Sequence, residues 1–300
     1  MTAAVHPASY APDSASDPND ILHQRLSSLN VLRLEPATPS RSEPLFEPEL
    51  GLRRLERVFL ESERELMVHR ASTAPSDSAG FLAWFEDLRE SGPGQNDPLF
   101  PWLARRATAD EVRWFLAQEV AGEAGFDDLV AMTQIKMPTR VKLELARNYW
   151  DEMGRGNETA MHGPMLTRVA EALDVRAGMH GIVWEARALG NLLVGLAANR
   201  DWAYHAIGAL GVVELTAPGR AVQVTQALKR LRVEPNARRY YSLHATIDLR
   251  HSEAWNREII APLVESDASL ARPIAEGALM RLNAGLRCFE RYRKELGVIS

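Results

Sequence analysis

"YSLHATIDLRHSEAW", residues 241–255, carries Tyr241, His244, Asp248, His251 and Trp255 in one run. Read as an α-helix, the spacing stacks His244, Asp248 and His251 on a single face. Tyr241 and Trp255 fall on or near that face. A solvated face rarely carries two aromatics, and a core face rarely carries three titratable groups. The stretch therefore reads as a helix that turns ligand-type side chains inward, and something must compensate them there.

Outward from this run the chain keeps a helical rhythm. "PELGLRRLERVFLESERELMVHR", from Pro48, repeats apolar residues at three and four, and "SAGFLAWFEDLRE" is a shorter helix stopped by "SGPGQNDP". "TADEVRWFLAQEVAGEAGFDDLVAM" opens with Thr108 and Glu111 in capping-box spacing and reads as one helix. Pro138 precedes "TRVKLELARNYWDEM", and Gly154 and Gly156 then break the chain before "NETAMHGPMLTRVAEAL". "MHGIVWEARALGNLLVGLAAN" and "DWAYHAIGALGVVELTA" follow, the second expected to end at Pro218. "GRAVQVTQALKRLRV" and "SLARPIAEGALMRLNAGLRCFERYRKEL" complete the set. No convincing apolar–polar alternation, hairpin dipeptide or βαβ rhythm is visible. The fold class is all-α, a single domain over 46–300 with eight or more helices. Seven of the 17 prolines lie within residues 1–48, so residues 1–45 read as a flexible or loosely docked tail.

Composition narrows the function. With 300 residues, 46% hydrophobic and 25% charged, the chain is an ordinary globular protein. Its net charge of −5 offers no basic footprint for nucleic acid. The single cysteine, Cys288, excludes an internal disulfide and any metal site built on several thiolates, and fits a reducing cytoplasm. The first residues do not read as a secretory signal, and no run approaches the roughly 20 apolar residues that cross a bilayer.

Carboxylates stand where apolar side chains are expected. Glu214 is the lone acidic residue of "AYHAIGALGVVELTA", residues 203–217. Unpaired in a buried helix, it would cost several kcal/mol or be driven to its neutral form. A buried arginine or a metal would compensate it. Glu119 sits inside the stripe of Val112, Phe115, Leu116, Gly122 and Phe126, with Glu123 one turn on as the alternative inward-facing group. Glu152 ends a helix, and His162 follows ten residues later across the two glycines. His69, near Glu65, reads as a solvated face; His6 and His23 lie in the tail, and His180 and His205 have weaker contexts. Oxygen and imidazole donors without thiolates suit iron or manganese with open positions. Helical bundles place such donors on facing helices around a metal pair. The familiar di-iron motif Glu-x-x-His is absent from the sequence.

At these residues the sequence resembles the haem-oxygenase-like di-iron oxidases and oxygenases, or iron-containing redox enzymes. "FLAQE", "ELARNYWDEMGRG" followed by His162, "GALGVVELTAP" and "YYSLHATIDLRH" are similar in order and spacing to that family's metal-binding segments, over roughly residues 108–265. The resemblance implies a haem-oxygenase-like multi-helix bundle that binds no haem. It implies Glu119, Glu152, His162, Glu214, His244, Asp248 and His251 as ligands to two Fe(II) ions, with Glu152 as the bridge. O2 would be co-substrate, an external donor would supply electrons, and a small molecule, amine or amino-acid-like, would be oxidised by N-oxygenation or C–C/C–N cleavage. A homodimer is expected, without nucleic acid or membrane as partner. Two other readings compete: a mononuclear iron oxygenase using part of the ligand set, and a non-catalytic helical binding protein. In the latter, buried charges would pair with arginines such as Arg113, Arg147, Arg187, Arg238 and Arg239.

Overall fold

The computed structural model describes residues 17–36, 46–175 and 181–298, and these are helical without any strand. In chain order the helices are α1 (Pro18–Leu34), α2 (Phe46–Ala71), α3 (Ser78–Ser91), α4 (Leu99–Arg105), α5 (Ala109–Glu123), α6 (Phe126–Thr133) and α7 (Thr139–Glu152). They continue as α8 (His162–Ala172), α9 (Trp184–Ala198), α10 (Ala203–Arg230), α11 (Arg239–Trp255), α12 (Ala261–Ser266) and α13 (Ala271–Leu296). Among the described residues no helix is long and apolar enough to cross a membrane.

The central column is α10. Its small and apolar residues from Ala203 to Leu215 leave it buried over most of that length. It packs chiefly against α13 and α11, with α4 and α9 beside them. The α10–α13 crossing depends on two glycines. A Cβ on Gly208 would collide with the Ile274 carbonyl, and one on Gly277 with the His205 carbonyl, so the two backbones touch there directly. Trp255 anchors α11 to the same column, donating from Nε1 to the Ile207 carbonyl at 3.2 Å. A single π-turn at Asn256–Ile260 then carries α11 into α12 without a break.

Three expectations from sequence are corrected. Pro218 does not end a helix: α10 runs straight through it for 28 residues. The lost backbone bond and ring clash of a mid-helix proline are outweighed by packing on both sides, since Thr216, Pro218 and Ala221 are all buried. The run from Thr108 is two helices rather than one. Its capping box is present as expected, but Ala124 and Gly125 are both left-handed, and the Glu123 carboxylate accepts from the Gly125 and Phe126 amides at 2.9 and 3.2 Å. That side chain turns back to cap α6, which ends α5. The tail expectation fails over 18–34. There α1 packs on α9 and α2 with His23, Leu26 and Leu29 buried, because this stretch carries an apolar face despite its proline-rich flanks. Residues 1–16 and 37–45, with His6, and His180 lie outside the described residues.

Candidate metal centre

Four helices deliver the candidate ligands to one place. In α7 the buried residues Val141, Leu145, Asn148 and Glu152 recur at helical spacing, so Glu152 ends the apolar stripe and faces inward. The chain then reverses through three consecutive left-handed residues, Gly154, Arg155 and Gly156, with φ of 61°, 55° and 81°. A Cβ at Gly154 would collide with the Ala160 backbone, so glycine is required there. Arg155 is tied to Asp151 at 2.6 Å. The reversal places His162 at the first position of α8, buried directly against Glu152, with Nδ1 2.5 Å from Oε2. Glu214 comes from the middle of α10, and His244, Asp248 and His251 from the inward face of α11, as their spacing implies.

Two ligand-type groups result, and Glu152 belongs to both. Donor atoms of Glu152, His162 and His244 lie within 4.8 Å of one another, and so do those of Glu152, Glu214 and His251. The His162 and His244 rings meet edge to face with centroids 4.6 Å apart. Each remaining donor is held from behind. Asn148 donates to Glu214 Oε1 at 2.6 Å. His244 Nδ1 lies 3.0 and 3.1 Å from the two Asp248 oxygens, and His251 Nε2 lies 3.2 Å from Asp151 Oδ2. What faces the middle is then His162 Nδ1, 2.5 Å from Glu152 Oε2, His251 Nδ1, 3.4 Å from Glu214 Oε2, and His244 Nε2, a buried nitrogen without a hydrogen-bond partner. An unpartnered buried nitrogen costs stability, and three imidazoles converging on buried carboxylates are what a nitrogen- and oxygen-ligated cation would satisfy. The donor set fits iron.

The electrostatics are strained in the same direction. Burial raises the Glu152 carboxyl well above the ordinary range, and Glu214 and Asp248 add to that rise against the opposing charges of His244 and His251. Burial also pulls the two α11 imidazoles down, but it is overcome. Asp248, Glu152 and Glu214 hold His244 at about 9, and Glu214 with Asp151 and Glu152 hold His251 at about 10. His162 goes the other way, to about 4, through burial and then the neighbouring His244 charge. Protons on the α11 histidines thus do the neutralising that a metal would do instead.

Asp248 is in neither group, since both its oxygens face His244 Nδ1, and neither is Glu119. Glu119 lines a cavity of about 150 Å³ that adjoins the cluster, where it faces Arg220 and Arg281, and burial raises its carboxyl. Glu152, Glu214, His244 and Asp248 line the same cavity, together with an apolar wall including Phe126, Leu166, Leu189 and Leu193. Trp114, Trp184, Trp202 and Tyr204 do not line it. Trp114 packs edge-on to Tyr292, Trp184 stacks on His23 and Trp202 meets His205, while Tyr204 lies against the core. The aromatic nearest the ligands is Tyr240, 4.5 Å between centroids from His244. Sequence reasoning missed Asn148, Asp151, Arg220 and Arg281. Asn148 had a local signal, standing one turn before Glu152 on the same stripe, and Arg281 interrupts the apolar "GALMRL".

A helical bundle that converges imidazoles and carboxylates on a shared buried glutamate is a metalloprotein scaffold of the haem-oxygenase-like shape. Residues 113–286, which contain all seven candidates, match the model of the iron-containing redox enzymes, and the chain belongs to that family. No curated protein matches it.

Proposed function

We propose that the chain is a non-haem di-iron oxidase or oxygenase that uses Fe(II) and O2 to oxidise a small molecule held in the adjoining cavity. Glu152, His162, Glu214, His244, Asp248 and His251 would hold the ions. The observation that carries this reading is the place of Glu152 in both ligand groups. A mononuclear site would use only one of these two groups. The scaffold alternative finds little support in its arginines. Arg113 bonds the Leu173 carbonyl, Arg147 pairs with Glu144, Arg187 with Asp20, and Arg238 bonds the Val233 carbonyl.

A pair of Fe(II) ions supplies the electrons and Lewis acidity for reducing O2 beside an organic molecule. The chain's own residues prepare that site. Asp151 holds His251 by Nε2 and leaves Nδ1 free; Asp248 holds His244 by Nδ1 and leaves Nε2 free. Asn148 occupies one oxygen of Glu214 and leaves the other turned toward His251 Nδ1 at 3.4 Å. The protons on His244 and His251 would be displaced by a bound cation. Leu166, Leu189 and Phe126 give the cavity an apolar wall. Continued turnover draws electrons from an external donor.

Anaerobic titration with Fe(II), followed by measurement of bound iron, tests the reading. Two ions per chain are expected, falling to one or none in His244→Ala/Asp248→Ala. No uptake, or uptake unchanged in that variant, overturns it.

A further inference from the structure

We infer that the cavity beside the ligand cluster takes a small monocarboxylate, its carboxylate gripped between Arg220 of α10 and Arg281 of α13. For the acid's role as substrate, the inference rests on the proposed metal site; for its binding, it rests on the cavity alone.

Arg220, Arg281 and Glu119 are half-buried and line the cavity, and Arg220 also borders a surface cleft. Among the described residues neither arginine forms an ion pair within 4.0 Å. Arg220 donates from Nη2 to Thr216 Oγ1 at 3.1 Å, and its guanidinium lies 5.7 Å from the centre of the Phe289 ring. Arg281 has its Nε buried without a partner. Arg33 and Arg287 also leave Nε unpaired, but each grips a glutamate with both terminal nitrogens. A half-buried guanidinium without a counter-ion is costly, so a pair facing a cavity points to an anion that is not part of the chain. Burial, and then the nearness of Arg281, brings Arg220 down to about 10, as expected for two cations held together without enough negative charge.

Charge balance narrows the anion. The carboxylate both guanidiniums face is Glu119, while Glu123 on the same wall is turned to the Gly125 and Phe126 amides, so one guanidinium is left without a carboxylate of its own. Asp248, which Arg220 also faces at longer range, is already engaged by His244. A monocarboxylate closes the balance. A zwitterionic amino acid brings no net charge and leaves the surplus in place, and a simple amine increases it. Paired guanidiniums also present the forked donors that suit a carboxylate. The rest of the cavity sets the body of the ligand. Its wall is apolar, and its volume of about 150 Å³ matches that of an engineered cavity that takes benzene, about 150 Å³. The ligand cluster forms another part of the wall, so an acid held by its carboxylate presents its body to the metal-binding side chains. Phe100 and Arg220 also line a surface cleft of about 390 Å³, which gives the acid a way in beside the residue that binds it.

The test is calorimetric titration of the full-length chain, without metal, using three probes that share a phenyl body: phenylacetate, phenylglycine and benzylamine. Phenylacetate should bind tightest, phenylglycine at least tenfold more weakly, and benzylamine not at all. Arg220→Gln and Arg281→Gln should each weaken phenylacetate at least tenfold, while Glu119→Gln tightens it. Where a glutamine variant does not fold, the lysine variant replaces it: Arg281→Lys keeps the charge, loses the fork and should weaken binding several-fold. No heat with phenylacetate, unchanged affinity in folded arginine variants, or tighter binding of phenylglycine or benzylamine overturns the inference. Bound Fe(II), measured separately, keeps the two readings apart. Two ions per chain without phenylacetate binding sinks the carboxylate site alone, and phenylacetate binding without iron uptake sinks the metal site alone.

Discussion

Four glutamates of this chain are buried to the same depth and treated in opposite ways. Glu56 and Glu63 on α2 are 3% and 5% exposed, and Glu152 and Glu214 are both 2% exposed. Each α2 glutamate meets an arginine through two hydrogen bonds: Arg33 on Glu56 at 2.6 and 3.0 Å, and Arg287 on Glu63 at 2.7 and 2.8 Å. The other two meet imidazoles and an asparagine. Burial of a carboxylate is therefore not by itself the mark of a metal site in this fold. Where the carboxylate is structural, a guanidinium saturates it. Around Glu152 the neighbours are themselves ligand-type, and His244 keeps a nitrogen unused.

The sharpest way to break this comparison is to remove one glutamate from each kind of setting. Glu152→Ala should abolish Fe(II) uptake at both positions, an affinity loss of more than a hundredfold read by equilibrium dialysis without O2. If one ion still binds at full affinity, Glu152 is not shared. Glu63→Ala should leave iron uptake intact but deprive the half-buried Arg287 of its partner, which costs about 1–3 kcal/mol and appears as a lower midpoint in denaturant. Without metal, Glu152→Gln should do the reverse and raise the midpoint, since burial and neighbouring carboxylates already disfavour the charged form of Glu152.

A smaller effect separates a positioning residue from a ligand. Asp151 is partly exposed and salt-bridged to Arg155, yet it holds His251 Nε2. Asp151→Asn should keep the iron stoichiometry while weakening affinity by about 10–100-fold. Loss of one ion would make Asp151 a ligand in its own right. The same substitution at Asp110, an exposed partner of Arg113, should change neither quantity.

The share of the site legible in sequence follows how local each signal is. His244, Asp248 and His251 lie on one helix, so their shared face is a matter of spacing. Glu152 and His162 could be paired because Gly154 and Gly156 lie between them. Glu214 was visible as a charge in an apolar run. Glu119 carried the same kind of signal, but the structure sets it opposite Arg220 and Arg281 rather than in either ligand group. No local pattern distinguishes those outcomes, because the partners come from α10 and α13. Pro218 and α1 fail for a related reason. Each has a local tendency, to end a helix or to stay loose, that tertiary burial outweighs.

The gentlest test concerns a histidine on the arginine-paired side. His23 of α1 is 3% exposed. It stacks on Trp184 with centroids 5.7 Å apart, meets Phe59 edge-on at 4.8 Å, and has Asn191 bonded to its own carbonyl at 2.9 Å. Burial holds its pKa at about 4, and the charges of Arg287 and Arg187 press it the same way. The guanidinium that neutralises Glu63 thus also keeps His23 neutral, the opposite of His244 and His251, which their carboxylates keep charged. The sign follows directly. The docked value lies below the ordinary one near 6.5, so docking of α1 favours the unprotonated ring. That stability is complete above about pH 6.5 and is lost as pH falls toward about 4. At pH 5.5 the loss should be about 1 kcal/mol, allowing for solvent screening. Amide protection factors for residues 20–34, corrected for the intrinsic pH dependence of exchange, should fall between pH 7 and 5.5. His23→Gln, which cannot titrate, should flatten that fall, and an equal fall in the variant would place the acid sensitivity elsewhere.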